Sequence, residues 1–373
     1  MRICHVIYIP RFSGAEILVR ELAIAHQALG HDVAVMALFP SEPSFLGELG
    51  KMEAMGISLF LPEQRLEKWD RLNFLIQGLK QFKPDVVVAH SIIPSAYIRI
   101  AVKFAFLSRT ATISVLHDAS QDDYAPSKMR SLERWIIPKP DAVVSVSQIG
   151  ADNYSRRIRS SKKPLVIPNG IDLSRITQAA SHREAVREQV FTVQPEEFVF
   201  LQVGRFGSTK QQHLSLEAFA KVHQIVPFSG KLCFVGCSEN EAYEEELRQL
   251  AKKFQVEEKV LFLGSRSDIP ELLAGADIFL MPSKFEAQGI AFIEALTSGI
   301  SVIASEIPPF EYGRAFAGVH LIQPQRVDQF AQAIAEVIRH GSVRWERDTN
   351  SYSMEQTSEA YLALFQSLTY SKQ

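Results

Sequence analysis

Short runs rich in β-branched residues alternate with longer amphipathic stretches along nearly the whole chain, and the alternation begins again halfway. Ile3 to Ile9, Asp32 to Leu38, Ile57 to Leu61, Asp85 to Ala89, Thr112 to Leu116 and Ala142 to Val146 are too evenly apolar for strands with one wet face. Parallel strands covered on both faces have this character. Between the first two runs, Ile17, Leu18, Leu22, Ala25, Ala28 and Leu29 recur at helical spacing before Gly30, which suits a helix C-cap. Strand, helix and strand in that order form a βαβ unit.

The turn-rich segment Pro168-Asn169-Gly170-Ile171-Asp172 is followed by a polar, weakly periodic stretch from Leu173 to Ser181, where a domain boundary is expected. Strand-like runs then resume at Phe198 to Val203, Lys231 to Val235, Val260 to Leu263, Ile278 to Met281, Ser301 to Ala304 and Val319 to Ile322. Helical patterns at His213 to Ile225, Glu241 to Phe254, Asp268 to Leu273, Ile290 to Thr297 and Val327 to Arg339 separate them. Two α/β domains follow, residues 1–180 and 181–350, each with a parallel sheet. Residues 351–373 carry an amphipathic helix with no strand after it, which must pack on something already built. A length of 373 residues suits two hydrophobic cores better than one. In such sheets ligands sit at the carboxyl ends of the strands, here facing a crevice between the domains.

Composition narrows the function. The net charge is −2, yet Arg99 to Lys163 holds twelve Lys or Arg against six Asp or Glu. The basic residues lack the interleaved aromatics that stack nucleic-acid bases, so nucleic acid is not an expected partner. Cys4, Cys233 and Cys237 give neither a disulfide framework nor a zinc pattern, which fits a reducing cytoplasm. The first apolar run is stopped by Pro10 and Arg11 and suits a strand better than a secretory signal. No stretch reaches the roughly 20 apolar residues that span a bilayer, so membrane association would be peripheral.

Four motifs carry chemistry. After the strand Phe198 to Val203 comes Gly204-Arg205-Phe206-Gly207-Ser208-Thr209-Lys210, then a helix. Glycines let backbone amides approach phosphate oxygens, and Arg205 with Lys210 can neutralise a leaving nucleotide diphosphate. The alternative is a surface turn with solvated cations. Ser13, Gly14 and Glu16 open the first helix, either as a second phosphate-facing loop or as a self-satisfied cap. Glu286, in a loop between strand and helix, precedes Glu294 by eight positions. Glu294 falls among Ile290, Phe292, Ile293, Ala295 and Leu296, where a buried carboxylate needs a partner; otherwise the two are a helix-dipole partner and an exposed residue. His117-Asp118 ends a strand, where an imidazole can bond a sugar hydroxyl or simply be structural. The other nine histidines show no metal-ligand spacing.

Together these residues resemble the retaining glycosyltransferase family 4, whose members adopt the GT-B fold of two Rossmann-like domains. The matching stretches are Ser13 to Glu16, His117-Asp118, Ser145-Val-Ser147, Pro168 to Asp172, Gly204-Arg-Phe-x3-Lys210, Pro282-Ser-x2-Glu286 and the Glu-x7-Glu pair. The resemblance covers nearly the whole chain. It implies that Arg205 and Lys210 hold the donor diphosphate, Glu294 the nucleotide ribose, Glu286 the donor sugar hydroxyls, and His117 the region near the anomeric carbon. Ser13, Gly14, Gly204, Gly289 and Ile290 would complete the donor site. It further implies same-face displacement with retained configuration, no protein nucleophile and no metal cofactor; Asp122-Asp123 lies in a polar loop and suits solvent better than a metal. Two departures stand out: Ala287-Gln288 where the family commonly has Gly-Phe, and Ser13 where many members carry a glycine.

Tyr97 to Thr110 sets apolar residues beside Arg99, Lys103 and Arg109, with Arg156, Arg157, Arg159, Lys162 and Lys163 further on. Such a surface suits anionic lipid, or is a buried helix with ordinary flanking charges. The expected activity is transfer of a hexose from a nucleotide diphosphate sugar to a saccharide or lipid-linked saccharide acceptor, on the cytoplasmic side. A phosphorylase, a nucleotide-sugar epimerase and an idle GT-B scaffold are the alternatives.

Overall fold

The computed structural model describes residues 1–117, 130–158, 163–238 and 241–372, and it divides into two compact units, Met1–Ile171 with Tyr352–Gln373, and Asp172–Ser351. Asp118, Asp122, Asp123, Arg159 and Lys162 lie outside the described residues.

The first unit runs β1 (Arg2–Ile7), α1 (Gly14–Ala28), β2 (Asp32–Ala37), α2 (Leu46–Ala54), β3 (Ser58–Phe60), α3 (Lys68–Phe82), β4 (Val86–His90), α4 (Ile92–Phe104), β5 (Ala111–Leu116), β6 (Ala142–Ser145), α5 (Gln148–Ile158) and β7 (Leu165–Val166). Its sheet is parallel in the order β3-β2-β1-β4-β5-β6-β7. Because strand side chains alternate, each strand feeds two cores. Cys4, Val6, Val87 and Ala89 pack on Leu75 and Leu79 of α3 and Ile98 of α4. Ile7, Val33 and Val35 pack on the other side against Val19 and Ala23 of α1 and Met52 of α2.

The second unit contains α6 (Leu173–Ala179), helical turns over residues 180–191, β8 (Phe198–Val203), α7 (Gln212–Val222), β9 (Gly230–Val235), α8 (Glu241–Lys253), β10 (Val260–Phe262), α9 (Ile269–Gly275), β11 (Ile278–Met281), α10 (Ile290–Thr297), β12 (Ser301–Ser305), β13 (Val319–Ile322) and α11 (Val327–His340). Its parallel sheet is ordered β10-β9-β8-β11-β12-β13. Both sheets reverse direction of growth beside their first strand, between β1 and β4 and between β8 and β11. That reversal is the switch point at which Rossmann-type sheets bind ligands.

The units part at Ile171 and Asp172, earlier than the expected boundary at residue 180. The Asp172 carboxylate accepts from the Ser174 and Arg175 amides at 3.0 and 3.3 Å and so caps α6, a helix of one buried face that is too short to show periodicity. Arg175 in turn donates to the Ser267 carbonyl of the second unit.

The chain returns to the first unit as α12 (Met354–Tyr370), which lies on α1 with Tyr361 and Phe365 fully buried. Lys372 donates to the Thr110 carbonyl and the Asp141 carboxylate, both at 2.8 Å. The Pro168 to Asp172 motif is where this return is fastened. The Thr357 hydroxyl donates to the Pro168 carbonyl at 3.0 Å, and a β-carbon on Gly170 would stand 2.5 Å from the Ser353 carbonyl oxygen.

Candidate active site

In the second unit the loops after β8 and β11 flank the switch point, and their functional side chains meet there. Lys210 Nζ is ion-paired with Glu286, whose Oε1 also accepts from the Ser283 hydroxyl at 2.9 Å. The Lys284 amide donates to the Thr209 carbonyl at 2.8 Å and ties the two loops together through their backbones. Gly204 ends β8 with φ +149°, which a side chain would strain, and Gly236 after β9 packs against it. Gln202 donates to the Lys210 carbonyl at 2.8 Å and Gln212 to the Arg205 carbonyl at 3.0 Å, so two buried amides hold the turn from both ends.

Gly289, at φ +81°, is the N-cap of α10, and its close approach to Phe310 leaves no room for a side chain. The Phe292 and Ile293 amides donate to the Gly289 carbonyl at 3.0 and 3.2 Å, which leaves the Ile290 and Ala291 amides at the mouth of the helix to suit an anion or a hydroxyl. Glu294 is not buried, as its apolar neighbours suggest it should be. Phe292, Ile293, Ala295 and Leu296 enter the core, while Glu294 sits on the partly exposed face of the helix. Of the altered dipeptide, Gln288 is buried and its carbonyl accepts from the Tyr312 hydroxyl at 3.3 Å.

In the first unit Ser13 is the N-cap of α1, but its hydroxyl donates to the Glu16 carboxylate and does not accept from a helix amide. Gly14 begins the helix and is exposed. His117 follows β5 and is partly exposed. Its Nε2 lies 2.8 Å from His90 Nδ1, and two further histidines continue the contact inward, His5 from β1 and His26 from α1. Burial lowers the pKa of His117 and of His26 to about 4, and burial together with neighbouring histidines holds His5 and His90 well below the ordinary histidine range. Sequence inspection assigns nothing to these three partners, although His5 and His90 share one sheet face by strand alternation. Among the described residues no group of three or more His, Cys, Asp or Glu is arranged to hold a metal ion.

Arg99, counted among the basic surface residues in the sequence, is buried and bonded twice to Glu133, at 2.9 and 2.6 Å. Lys103 and Arg109 remain exposed, as do Phe104, Phe106, Trp135 and Ile136. Among the described residues no helix is long and apolar enough to cross a membrane.

Two parallel-sheet α/β units, each with a switch point beside its first strand, define the GT-B class. Over the whole chain the fold is similar to that of HepE from Anabaena, solved in complex with UDP-glucose, with a TM-score of 0.74, 19% identity and coverage of 100% of this chain and 98% of that one. The profile described as "Glycosyl transferases group 1" matches residues 185–354, and that of "Glycosyltransferase Family 4" matches residues 12–175. The chain belongs to this group 1, family 4 set and is a glycosyltransferase. It is 24% identical to the Escherichia coli UDP-Gal:alpha-D-GlcNAc-diphosphoundecaprenol alpha-1,3-galactosyltransferase over 70% of this chain and 68% of that protein. It is 23% identical to alpha-monoglucosyldiacylglycerol synthase of Streptococcus pneumoniae, over 81% of this chain and 70% of that protein.

Proposed function

We infer that the enzyme transfers a hexose from a nucleotide diphosphate sugar to a saccharide or lipid-linked saccharide, with retained anomeric configuration and without a metal ion. The observation that carries this is the meeting of Lys210 and Glu286 at the switch point of the second unit. A cation and a carboxylate held side by side are matched to a ligand that brings both a diphosphate and sugar hydroxyls. On binding, Lys210 and Arg205 turn to the diphosphate and stabilise the charge that grows on it as the glycosidic bond breaks. Glu286 accepts hydrogen bonds from the sugar, Glu294 from the nucleotide ribose, and Gly204, Gly289 and Ile290 offer backbone. Ser13 and Gly14 contribute at the start of α1. The acceptor hydroxyl attacks on the face the nucleotide leaves, and a phosphate oxygen takes its proton, so no side chain need act as nucleophile.

The names of two relatives, with a diphosphoundecaprenol-linked sugar in one and a glucosyldiacylglycerol in the other, support a lipid-linked acceptor. Phe104 and Phe106, exposed beside Lys103 and Arg109 in sequence, support peripheral contact with anionic lipid on the cytoplasmic face.

The test is nucleotide diphosphate release in EDTA across UDP-, GDP- and ADP-sugars, comparing wild type with Lys210→Ala and Glu286→Gln. One donor hydrolysed slowly by wild type and by neither variant supports the transferase reading and identifies the donor. Turnover that survives both substitutions, or that depends on inorganic phosphate, overturns it.

A further inference from the structure

His117, His90, His5 and His26 form a chain in which every link joins Nε2 of one ring to Nδ1 of the next. His117 Nε2 lies 2.8 Å from His90 Nδ1, His90 Nε2 lies 3.1 Å from His5 Nδ1, and His5 Nε2 lies 3.4 Å from His26 Nδ1. His5, His26 and His90 are fully buried, and the rings of His117 with His90 and of His5 with His26 are stacked. Their depressed pKa values keep all four neutral near pH 7.

A neutral imidazole carries one N–H and one lone pair. In a chain linked head to tail, only two arrangements satisfy all three links: every ring protonated at Nε2, or every ring protonated at Nδ1. Any mixture sets two hydrogens or two lone pairs against each other at some link, and a buried unmade hydrogen bond costs more than a made one gains.

The choice between the two is made at the inner end. His26 Nε2 is buried with no hydrogen-bond partner, while the Ser358 backbone of α12 raises the pKa of this ring, as an accepting carbonyl does; with Nδ1 turned to His5, that carbonyl is left to the Nε2 side. A carbonyl can only accept. It favours a hydrogen on His26 Nε2 and is set against a lone pair there, so it favours Nε2–H along the whole chain. The outer end then shows a lone pair at His117 Nδ1.

We propose that His26, His5 and His90 are positioning residues that lock His117 as its Nε2–H tautomer, making His117 Nδ1 a hydrogen-bond acceptor for a hydroxyl of the bound sugar. The clause about the sugar rests on the transferase reading; the tautomer does not. The inner end is sealed under α12 beside Phe365, so the chain fixes a tautomer and does not conduct protons to solvent.

The experiment is long-range 1H–15N correlation on histidine-labelled full-length protein at pH 7, without substrate, together with donor kinetics. In wild type, His117 is expected to show a protonated Nε2 and a bare Nδ1. In His26→Phe, three rings from the surface, His117 is expected to become a mixture of tautomers and the donor KM to rise about twofold, because an even mixture halves the competent form. His90→Phe should do the same at one remove. A His117 protonated at Nδ1 in wild type overturns the proposal, and this measurement needs no variant to fold. So does a folded His26→Phe protein whose His117 is unchanged. An Nε2–H chain in protein that turns over no nucleotide sugar supports the lock and removes only the transferase reading.

Discussion

The Lys210 side chain lies along Gly204, so that a β-carbon added to Gly204 would stand 3.3 Å from Lys210 Cε and 3.4 Å from Cδ. Gly204→Ala therefore displaces the lysine and strains a φ of +149° at once. The lysine tip can give way, and the fold should survive with a loss of about 1–2 kcal/mol. Nucleotide diphosphate affinity should fall roughly tenfold, about 1.4 kcal/mol, read by calorimetry. Gly236→Ala places a β-carbon 2.2 Å from the Gly204 carbonyl oxygen, where backbone cannot yield, and thermal melts should show a much larger loss.

Glu286 is ion-paired with Lys210 and neutralises it. Glu286→Gln should thus bind free nucleoside diphosphate several-fold more tightly, worth roughly 1 kcal/mol for a partly exposed pair. The same variant should lose transfer from the intact nucleotide sugar. Parallel titrations with the two ligands check both signs.

Asp277 is the buried polar centre of the second unit. It accepts from Arg183 at 2.5 Å, Arg187 at 2.8 Å, Ser342 at 2.7 Å and the Val199 amide at 2.9 Å. Burial opposes its charge, yet the Arg183 guanidinium and the Val199 amide still hold its pKa below the usual carboxylate range. Asp277→Ala strands the buried Arg187 and should cost about 3–5 kcal/mol in urea unfolding.

The four linked histidines predict how the first unit responds to acid. Their pKa values are lowered by folding, so the unfolded chain binds protons more readily than the folded one. Stability is then full above the ordinary histidine value of 6.5 and is lost as pH falls from there toward about 4. For buried His26 alone that is on the order of 3 kcal/mol. Melting temperature against pH should show the decline in wild type and a shallower one in His26→Phe.

Ile278 to Met281, Phe198 to Val203 and Ile290 to Thr297 match the expected elements residue for residue, because strands and helices buried on most sides leave uninterrupted apolar runs. The two parallel-sheet α/β domains were legible for the same reason, whereas the GT-B fold was implied by the resemblance of the motifs; the pairing of Lys210 with Glu286 was not legible, because it depends on a strand order that sets β8 beside β11. The helix α3 was not legible, since its apolar residues are diluted by Lys68, Asp70, Arg71 and Asn73. Nor was the histidine chain. His5, His26, His90 and His117 come from four separate elements, and only the β1–β4 pairing and the strand parity bring them to one face. Glu294 misled because helix neighbours in sequence point to different sides.

Residues 352–372 complete a unit begun by residues 1–171, with all of the second unit made in between. During synthesis, α1, which ends at Ala28, must wait through roughly 325 residues, or at least about 16 seconds at usual elongation rates, before α12, which begins at Met354, arrives to cover it. The second unit can close its core while the first is still open. Ser358 comes to His26 only once α12 has left the ribosome, so a shorter nascent chain lacks the backbone group at the inner end of the histidine chain.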